Sequence, residues 1–381
     1  MHLVEVVLPK SATESFPARG PMSQVEVLSL ALLTCVVFVS VISSLSSYPR
    51  TVDDFGDSSA YMSVASAIRR WDFQGLTVKQ FWGLPYLMAL VSTLLRVSDR
   101  TSLLLISAIS SLVSVALAYR LWGGWVAGFF AVLNFDWLQR SFLGGSEPLF
   151  VALLFFAFVA LREQRWILAA LSASLATTVR PLGILALLAL GVVLLERHEY
   201  RKVVLAFLVG CAIGIAYMLP LWRIYGDPLA TVHSYQQANQ AAPHLFGVPF
   251  HAILKGTLLY HSPWTNLLLT FGWIFFVLAG VVAMIASQAF RDYAKTHPVE
   301  VIFAGAYLLA ICSYNYPYWA RGSFPRFAIP VIPLVILALS PWISKSQVLS
   351  RVLLWGLGVI SPLLAAASAL GVRNVLPILH H

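Results

Sequence analysis

Charged residues and cysteines are scarce in this sequence. Of its 381 residues, 11% are charged and 59% are hydrophobic, whereas a soluble domain carries roughly 25% charged residues. Water cannot accommodate a chain of this length with a mean hydropathy of +0.80. Cys35, Cys211 and Cys312 lie within apolar runs, so we expect neither disulfides nor a thiol active site. These shortages predict an integral membrane protein.

Several well-known catalytic motifs are also missing. The sequence contains no Walker lysine loop, no HExxH, no GxSxG and no cysteine–histidine spacing typical of metal sites. Its net charge of +9 is distributed over short connections between apolar runs. A nucleic-acid-binding protein would instead cluster basic residues on a soluble face, so that class is excluded.

Apolar runs long enough to cross a bilayer recur along the chain. A transmembrane helix needs about 20 apolar residues, and the runs predict an all-α, polytopic bundle near residues 25–45, 82–95, 101–119, 124–139, 147–161, 165–179, 182–195, 203–222, 264–288, 299–315, 327–343 and 352–372. Some of these runs are short, so we expect about ten crossings. The stretch 82–146 holds three candidates where an even number is needed, which predicts that one is re-entrant or split. Residues 25–375 then form one transmembrane domain after a cytoplasmic segment, residues 1–24.

The distribution of Lys and Arg predicts the orientation. Cytoplasmic loops concentrate these residues, which assigns to the cytoplasm the connections 162–165, 197–202, 291–295 and 345–351. The outer side then receives the loops 46–80, 226–262 and 316–326. Two of these loops, 46–80 and 226–262, are too long to be mere connectors, and loops of this length in a compact protein are usually functional or disordered.

Three carboxylates stand close together in the first outer loop, at Asp53, Asp54 and Asp57. They could supply a general base for a hydroxyl nucleophile, or bind a divalent cation. Asp57 could instead be a helix N-cap, and the other two could be solvated loop charges.

A short amphipathic helix is predicted directly after these acids. Tyr61, Val64, Ala65 and Ile68 follow the i, i+3, i+4, i+7 spacing of one helix face. Such a helix would lie on the membrane surface.

Two more charges stand at the ends of predicted spans. Glu147 precedes Pro148 at the start of one span, where the helix dipole and the first-turn position explain it as well as a functional role does. Arg180 is the only charge between Trp166 and Leu195. A charge with no local partner near the membrane is a functional candidate, although it could also extend to the interface.

Aromatic and basic residues alternate near the end of the chain. Tyr316, Trp319, Arg321 and Arg326 could form an interfacial aromatic belt. They could equally hold a lipid phosphate beside a sugar, because guanidinium groups bind phosphate oxygens and aromatic faces stack on sugar rings. His261, in the second long outer loop, is a further candidate for substrate binding.

The motifs occur in an informative order: Asp57-Ser58-Ser59-Ala60-Tyr61, then Ser146-Glu147-Pro148-Leu149-Phe150, then Thr178-Val179-Arg180-Pro181-Leu182-Gly183, then Pro325-Arg326-Phe327. This order resembles that of the GT-C superfamily of membrane glycosyltransferases, which includes protein O-mannosyltransferases and the aminoarabinose transferase of lipid A. The likeness spans roughly residues 25–340. The chain departs from the acidic dipeptide common in that superfamily, because Phe55-Gly56 precedes Asp57.

The resemblance implies an activity and a set of roles. A sugar carried on a polyprenyl phosphate would be transferred, with inversion, to a hydroxyl group of a glycan, lipid or protein at the outer face of a bacterial plasma membrane. Asp57 would be the base, with Asp54 and Asp53 as alternatives. Arg180 and Arg326, with Arg321 as a further candidate, would hold the donor phosphate. Substrate contacts would fall on Tyr61, Glu147, His261, Tyr316 and Trp319. A divalent cation is the one cofactor left open.

Other functions remain open at this stage. A transporter or flippase of lipid-linked glycans would place polar groups near the midplane, often in inverted repeats; here the ionisable residues gather toward one face and no repeat is found. A polysaccharide polymerase would share the location and the substrate class. A purely structural membrane subunit is a further alternative.

Overall fold

Helices make up nearly all of this protein. The computed structural model describes residues 22–76, 79–237, 244–259, 264–343 and 346–371, without the side chains of 264–267, 269, 319, 321 and 343. Apart from one isolated bridge between Phe246 and Tyr314, these residues contain no β-structure. The predicted all-α class is therefore confirmed.

The helices follow one another with short connections. In chain order they are α1 (Gln24–Leu45), α2 (Tyr48–Asp54), α3 (Ser58–Arg70), α4 (Gly83–Leu95), α5 (Asp99–Leu133), α6 (Phe135–Leu143), α7 (Glu147–Arg162), α8 (Trp166–Val179), α9 (Ile184–Glu196), α10 (Tyr200–Tyr225), α11 (Ala230–Gln237), α12 (His251–Leu259), α13 (Trp264–Ala286), α14 (Gln288–Thr296), α15 (Pro298–Cys312), α16 (Pro317–Ala328), α17 (Ile332–Ile343) and α18 (Gln347–Ala369).

Several helices have the length and composition of membrane spans. In the described part of the chain these are α1, α5, α10, α18 and the stretch Gly322–Trp342 across α16 and α17. Two bent pairs, α6 with α7 and α13 with α14, could each form one broken span, and four shorter apolar helices remain. Large apolar side chains on α10 face outward, such as Phe207 at 68% exposure, as lipid contact requires. The chain is an integral membrane protein; the expected ten or so crossings stay a prediction.

The centre of the bundle is α5, which packs against α1, α7 and α17. It is kinked at Gly123, whose φ of 85° suits glycine. A Cβ on the next residue, Gly124, would lie 2.2 Å from the carbonyl oxygen of Met22, so α5 and the start of α1 approach closely. The two spans predicted at 101–119 and 124–139 are thus one kinked helix followed by the short α6.

The turn between α6 and α7 bends the chain by 106°. Gly144, with a φ of 95°, and Gly145 occupy this turn, and a Cβ on Gly145 would lie 2.7 Å from Arg140 Cδ and 2.8 Å from Glu147 Oε2. The absence of side chains at the turn lets Arg140 and Glu147 come together where α6 ends and α7 begins.

The far end of α7 carries a second polar group. Arg162 lies 15 residues after Glu147, about 22 Å along the helix axis. It donates through Nε and Nη2 to the two carboxylate oxygens of Glu300 at 2.8 and 2.9 Å. Tyr293 and Trp122 also hydrogen-bond Glu300. This end of the bundle is filled by a buried polar network whose carboxylate is fully paired.

The expected outer loop 316–326 is wrong, because these residues belong to α16. Pro317 occupies the first turn of that helix, a position where the missing N–H of proline costs nothing. The segment before α12 pairs with the segment before α16: Gly247 N–H donates to Ser313 O at 2.8 Å and Phe250 N–H to Cys312 O at 2.7 Å. The predicted loops around residues 226–262 and 316–326 therefore pack against each other.

The helix predicted in the first outer loop is confirmed as α3. Tyr61, Val64 and Ala65 are buried, as the predicted face requires, and Ile68 is half-buried. The acidic segment 53–57 leads directly into this helix.

Candidate active site

Five charged side chains from five separate segments meet at the α6–α7 turn. Asp57 precedes α3, Arg140 lies on α6, Glu147 begins α7, Arg180 follows α8, and Arg326 lies near the end of α16. We call these five residues the arginine–carboxylate cluster. Sequence separations of up to 269 residues between its hydrogen-bonded members show that the cluster is created by the tertiary fold.

Glu147 is the anion on which the cluster is built. Its side chain is 2% exposed. One carboxylate oxygen, Oε1, accepts hydrogen bonds from Arg180 Nη2 at 2.8 Å and from Arg326 Nε. The other oxygen, Oε2, has no hydrogen-bond partner among the described residues. Helix capping therefore does not account for Glu147, because its side chain binds two distant arginines.

Asp57 occupies the N-cap position of α3 but makes no capping hydrogen bond. Its Oδ2 instead accepts from Arg326 Nη2 at 3.1 Å, and its side chain is 36% exposed. Burial alone would raise the pKa of Asp57, but the nearby Arg326 and Arg140 outweigh burial and lower it below the ordinary value. Asp57 is thus an ionised carboxylate at neutral pH, partly open to an incoming molecule.

Hydroxyl groups fasten α3 to the α6–α7 turn. Tyr61 Oη donates to Ser146 Oγ at 3.1 Å, and Arg180 Nε donates to the same oxygen at 3.2 Å. Ser58 Oγ reaches the carbonyl oxygen of Leu143 at 3.2 Å. Burial raises the pKa of Tyr61 to about 12, so its hydroxyl keeps its proton and acts as the donor. These contacts fix the distance between Asp57 and the arginines.

Arg140 is the member that the sequence analysis missed. Its residue is 8% exposed, and its Nε and Nη1 have no hydrogen-bond partner in the described structure. The guanidinium carbon lies 4.5 Å from the centre of the Phe55 ring. In the sequence, Arg140 stands at the end of an apolar run, where an arginine extending to the interface gives the same pattern.

Comparison with known proteins gives a distant structural likeness. No family model and no curated protein matches the chain. Among solved structures, it is similar to the crystal structure of ArnT from Cupriavidus metallidurans bound to undecaprenyl phosphate, with 17% sequence identity and a TM-score of 0.48. The match covers 89% of this chain and 72% of that chain. This TM-score is too low to carry an argument about function, so the assignments that follow depend on the residues of this chain.

The two other acids of the first outer loop lie outside the cluster. Asp53 is bound by both Nε and Nη2 of Arg100. Asp54 is 73% exposed and lies 3.7 Å from Arg50 Nε. The three aspartates therefore do not converge, and in the described part of the chain no group of three or more His, Cys, Asp or Glu side chains is arranged to hold a metal ion. The divalent cation remains an untested expectation.

Of the remaining candidates, Tyr316 is the one whose side chain the structure describes. Tyr316 is buried, and its ring packs edge-on against Tyr314 and Tyr235 at 5.0 and 6.0 Å between centroids. Arg321 and Trp319 belong to α16, but their side chains lie outside the described structure, as does the whole of His261. Their predicted substrate contacts stay predictions.

The cluster combines two chemical functions in one place. A partly exposed, ionised carboxylate can accept a proton from a hydroxyl group. Three guanidinium groups beside it can stabilise negative charge on a phosphate oxygen, since preorganised cations at a site of developing charge lower the barrier to its formation. The arrangement therefore suits nucleophilic displacement of a phosphate leaving group by a hydroxyl.

Proposed function

We propose that this protein is an inverting glycosyltransferase that moves a sugar from a polyprenyl-phosphate donor to a hydroxyl acceptor at the outer face of the membrane. The observation that carries the proposal is the contact of Asp57 with Arg326, which also binds Glu147 together with Arg180. Through this contact, a single guanidinium group, that of Arg326, joins the candidate base to the candidate phosphate site. The order of the sequence motifs, which resembles the GT-C superfamily, supports the same activity.

The reaction assigns one role to each part of the cluster. The acceptor oxygen forms a bond to the anomeric carbon while the bond from that carbon to the phosphate oxygen breaks. The hydroxyl proton passes to the carboxylate of Asp57, and the electron pair of the broken bond stays on the phosphate. Arg180 and Arg326 supply positive potential to that phosphate, and Glu147 holds both of them in position.

The place of the cluster within the bundle supports a lipid-linked donor. Asp57 and Glu147 begin helices, Arg180 follows one, and all lie at the same end of the bundle. The opposite end holds the paired network around Arg162 and Glu300. A lipid carrier whose headgroup lies at one membrane surface would reach the cluster without crossing the bundle.

Replacement of Asp57 tests the proposed base. Asp57→Asn keeps the size of the side chain and removes the proton acceptor, so transfer should fall roughly 10²- to 10⁴-fold. The assay uses the full chain in lipid nanodiscs with a panel of undecaprenyl-phosphate-linked sugars and measures release of undecaprenyl phosphate. Asp292→Asn is the matched control, because Asp292 is an exposed acid on α14.

The other outcomes separate the rival functions. Full activity of Asp57→Asn with loss in Asp53→Asn or Asp54→Asn would move the role of base to that neighbour. Full activity in all three variants would contradict the mechanism. If wild type transfers no sugar but moves a fluorescent lipid-linked glycan across a vesicle membrane, the protein is a flippase and the proposed function is wrong.

A further inference from the structure

Arg140 is buried near the carboxylates of Asp57, Asp136 and Glu147, but two of its donor nitrogens make no hydrogen bond to them. It is 8% exposed, and both Nε and Nη1 lack hydrogen-bond partners in the part of the chain that the structure describes. Burying an ionised group is unfavourable unless it is paired and hydrogen-bonded. Arginine does not avoid this cost by losing its proton, because the guanidinium group stays protonated in proteins. The carboxylates nearby offset part of the cost of burying this charge, and the two open donors can be satisfied by an anion from outside the fold.

The chain holds this guanidinium in place through the residues that precede the candidate base. Arg140 lies 4.5 Å from the ring centre of Phe55, a cation–π contact. Gly56 has a φ of 52°, and a Cβ there would lie 2.6 Å from Arg140 Nη1. Phe55 and Gly56 thus pack directly against the Arg140 guanidinium and hold it beside Asp57.

The other two arginines of the cluster are already engaged. Arg180 donates to Glu147 and Ser146, and Arg326 donates to Glu147 and Asp57. An anion that bound either of them directly would compete with a buried carboxylate. Arg140 Nε and Nη1 donate to no carboxylate among the described residues, so a phosphate oxygen would not have to displace a hydrogen bond from them.

We propose that Arg140 is the residue that directly binds the phosphate group of a lipid ligand, while Arg180 and Arg326 stay bound to Glu147. This inference rests on the proposed function for the identity of the lipid. The shared chemistry is a phosphate ester, which could belong to a polyprenyl carrier or to an ordinary anionic phospholipid. Guanidinium groups suit this ligand because they form strong, charge-assisted hydrogen bonds to phosphate oxygens.

Thermal stability in detergent tests the assignment without requiring transfer. The purified full chain is heated alone and with undecaprenyl phosphate, undecaprenol, phosphatidylglycerol or inorganic phosphate. Arg140→Met removes the buried charge, so the ligand-free variant should be as stable as wild type or more stable. Its affinity for undecaprenyl phosphate should fall roughly 10- to 100-fold, the loss expected for hydrogen bonds to a charged group. Undecaprenol, which lacks the phosphate, should stabilise neither protein.

Two further variants complete the design. Arg140→Lys keeps the charge but loses the planar donors, so its affinity should lie between those of wild type and Arg140→Met. Arg120→Met is the matched control, because Arg120 is 63% exposed and pairs with Glu163, at the other end of the bundle. Its response to undecaprenyl phosphate should equal that of wild type.

The outcomes distinguish this inference from the proposed function. Equal stabilisation by phosphatidylglycerol that is lost in Arg140→Met would support Arg140 as the phosphate ligand and contradict a polyprenyl donor. Undiminished binding of undecaprenyl phosphate to Arg140→Met would overturn the inference and leave the proposed function standing. A large loss of ligand-free stability in Arg140→Met would mark Arg140 as a structural residue, and no stabilisation of wild type by any of these ligands would also overturn the inference.

Discussion

Replacing the buried Glu147 by glutamine should destabilise the fold more than a Glu→Gln change at an exposed ion pair does. Glu147 is 2% exposed, while Arg180 and Arg326 are 16% and 12% exposed. Glutamine keeps the shape and one acceptor oxygen but removes the negative charge that Arg180 and Arg326 share, and Arg326 retains Asp57 as a partner. Removing one partner of a buried ion pair costs about 3–5 kcal/mol. Because an acceptor oxygen remains, we expect a loss of about 3 kcal/mol, at the lower end of that range.

A matched substitution gives the scale for this experiment. Glu163 pairs with Arg120 at the opposite end of the bundle, and the two side chains are 28% and 63% exposed. An exposed pair of this kind contributes about 0–1 kcal/mol, so Glu163→Gln should be close to neutral. Equilibrium unfolding in mixed micelles, with the denaturing detergent as titrant, measures the free energy of unfolding for both variants.

Ligand binding should restore part of the stability that Glu147→Gln loses. If an anion enters the cluster, it should replace part of the lost charge, and undecaprenyl phosphate should stabilise Glu147→Gln more than it stabilises wild type. Equal free energies of unfolding for Glu147→Gln and Glu163→Gln would refute the claim that Glu147 organises the two arginines.

Three further outcomes are expected. Gly56→Ala should lower stability by about 1–3 kcal/mol, because alanine is strained at a φ of 52° and its Cβ would meet Arg140, whereas Gly191→Ala, which has open space, should be neutral or stabilising in the same thermal unfolding assay. The lowered pKa of Asp57 means that its stabilising contribution is complete above about pH 4 and is lost as the pH falls through its folded value; unfolding free energies measured against pH should therefore be less acid-sensitive in Asp57→Asn. Asp54→Cys should react with a membrane-impermeant maleimide in intact cells, and protection until lysis would contradict the predicted orientation.

Most helices could be predicted from the sequence because the bilayer imposes a minimum apolar length. A helix in lipid must satisfy its own backbone hydrogen bonds, so a long uncharged run has few alternatives. The predicted span 25–45 is α1, Gln24–Leu45, and the predicted span 203–222 lies within α10, Tyr200–Tyr225. The prediction was wrong at 316–326, where charges and aromatics suggested a loop. There the packing of α16 against α12 and α13 outweighs the local polarity.

Part of the cluster could be identified from the sequence for a related reason. Charges are so rare in this chain that Asp57, Glu147, Arg180 and Arg326 stand out at the ends of apolar runs. What the sequence could not show is which of them are paired. The pairing of Asp53 with Arg100 and the unsatisfied donors of Arg140 depend on contacts between helices far apart in the chain, and a linear pattern carries no information about those contacts.

The paired network at the far end of α7 makes the two ends of the bundle chemically different. Arg162, Glu300 and Tyr293 hydrogen-bond one another there, whereas Asp57 at the other end is 36% exposed. Under the proposed function, molecules that insert into vesicles with Asp57 facing the lumen would not act on substrates added outside until detergent opens the vesicles. Latency of this kind gives a direct count of orientation in any reconstituted preparation, without a label on the protein.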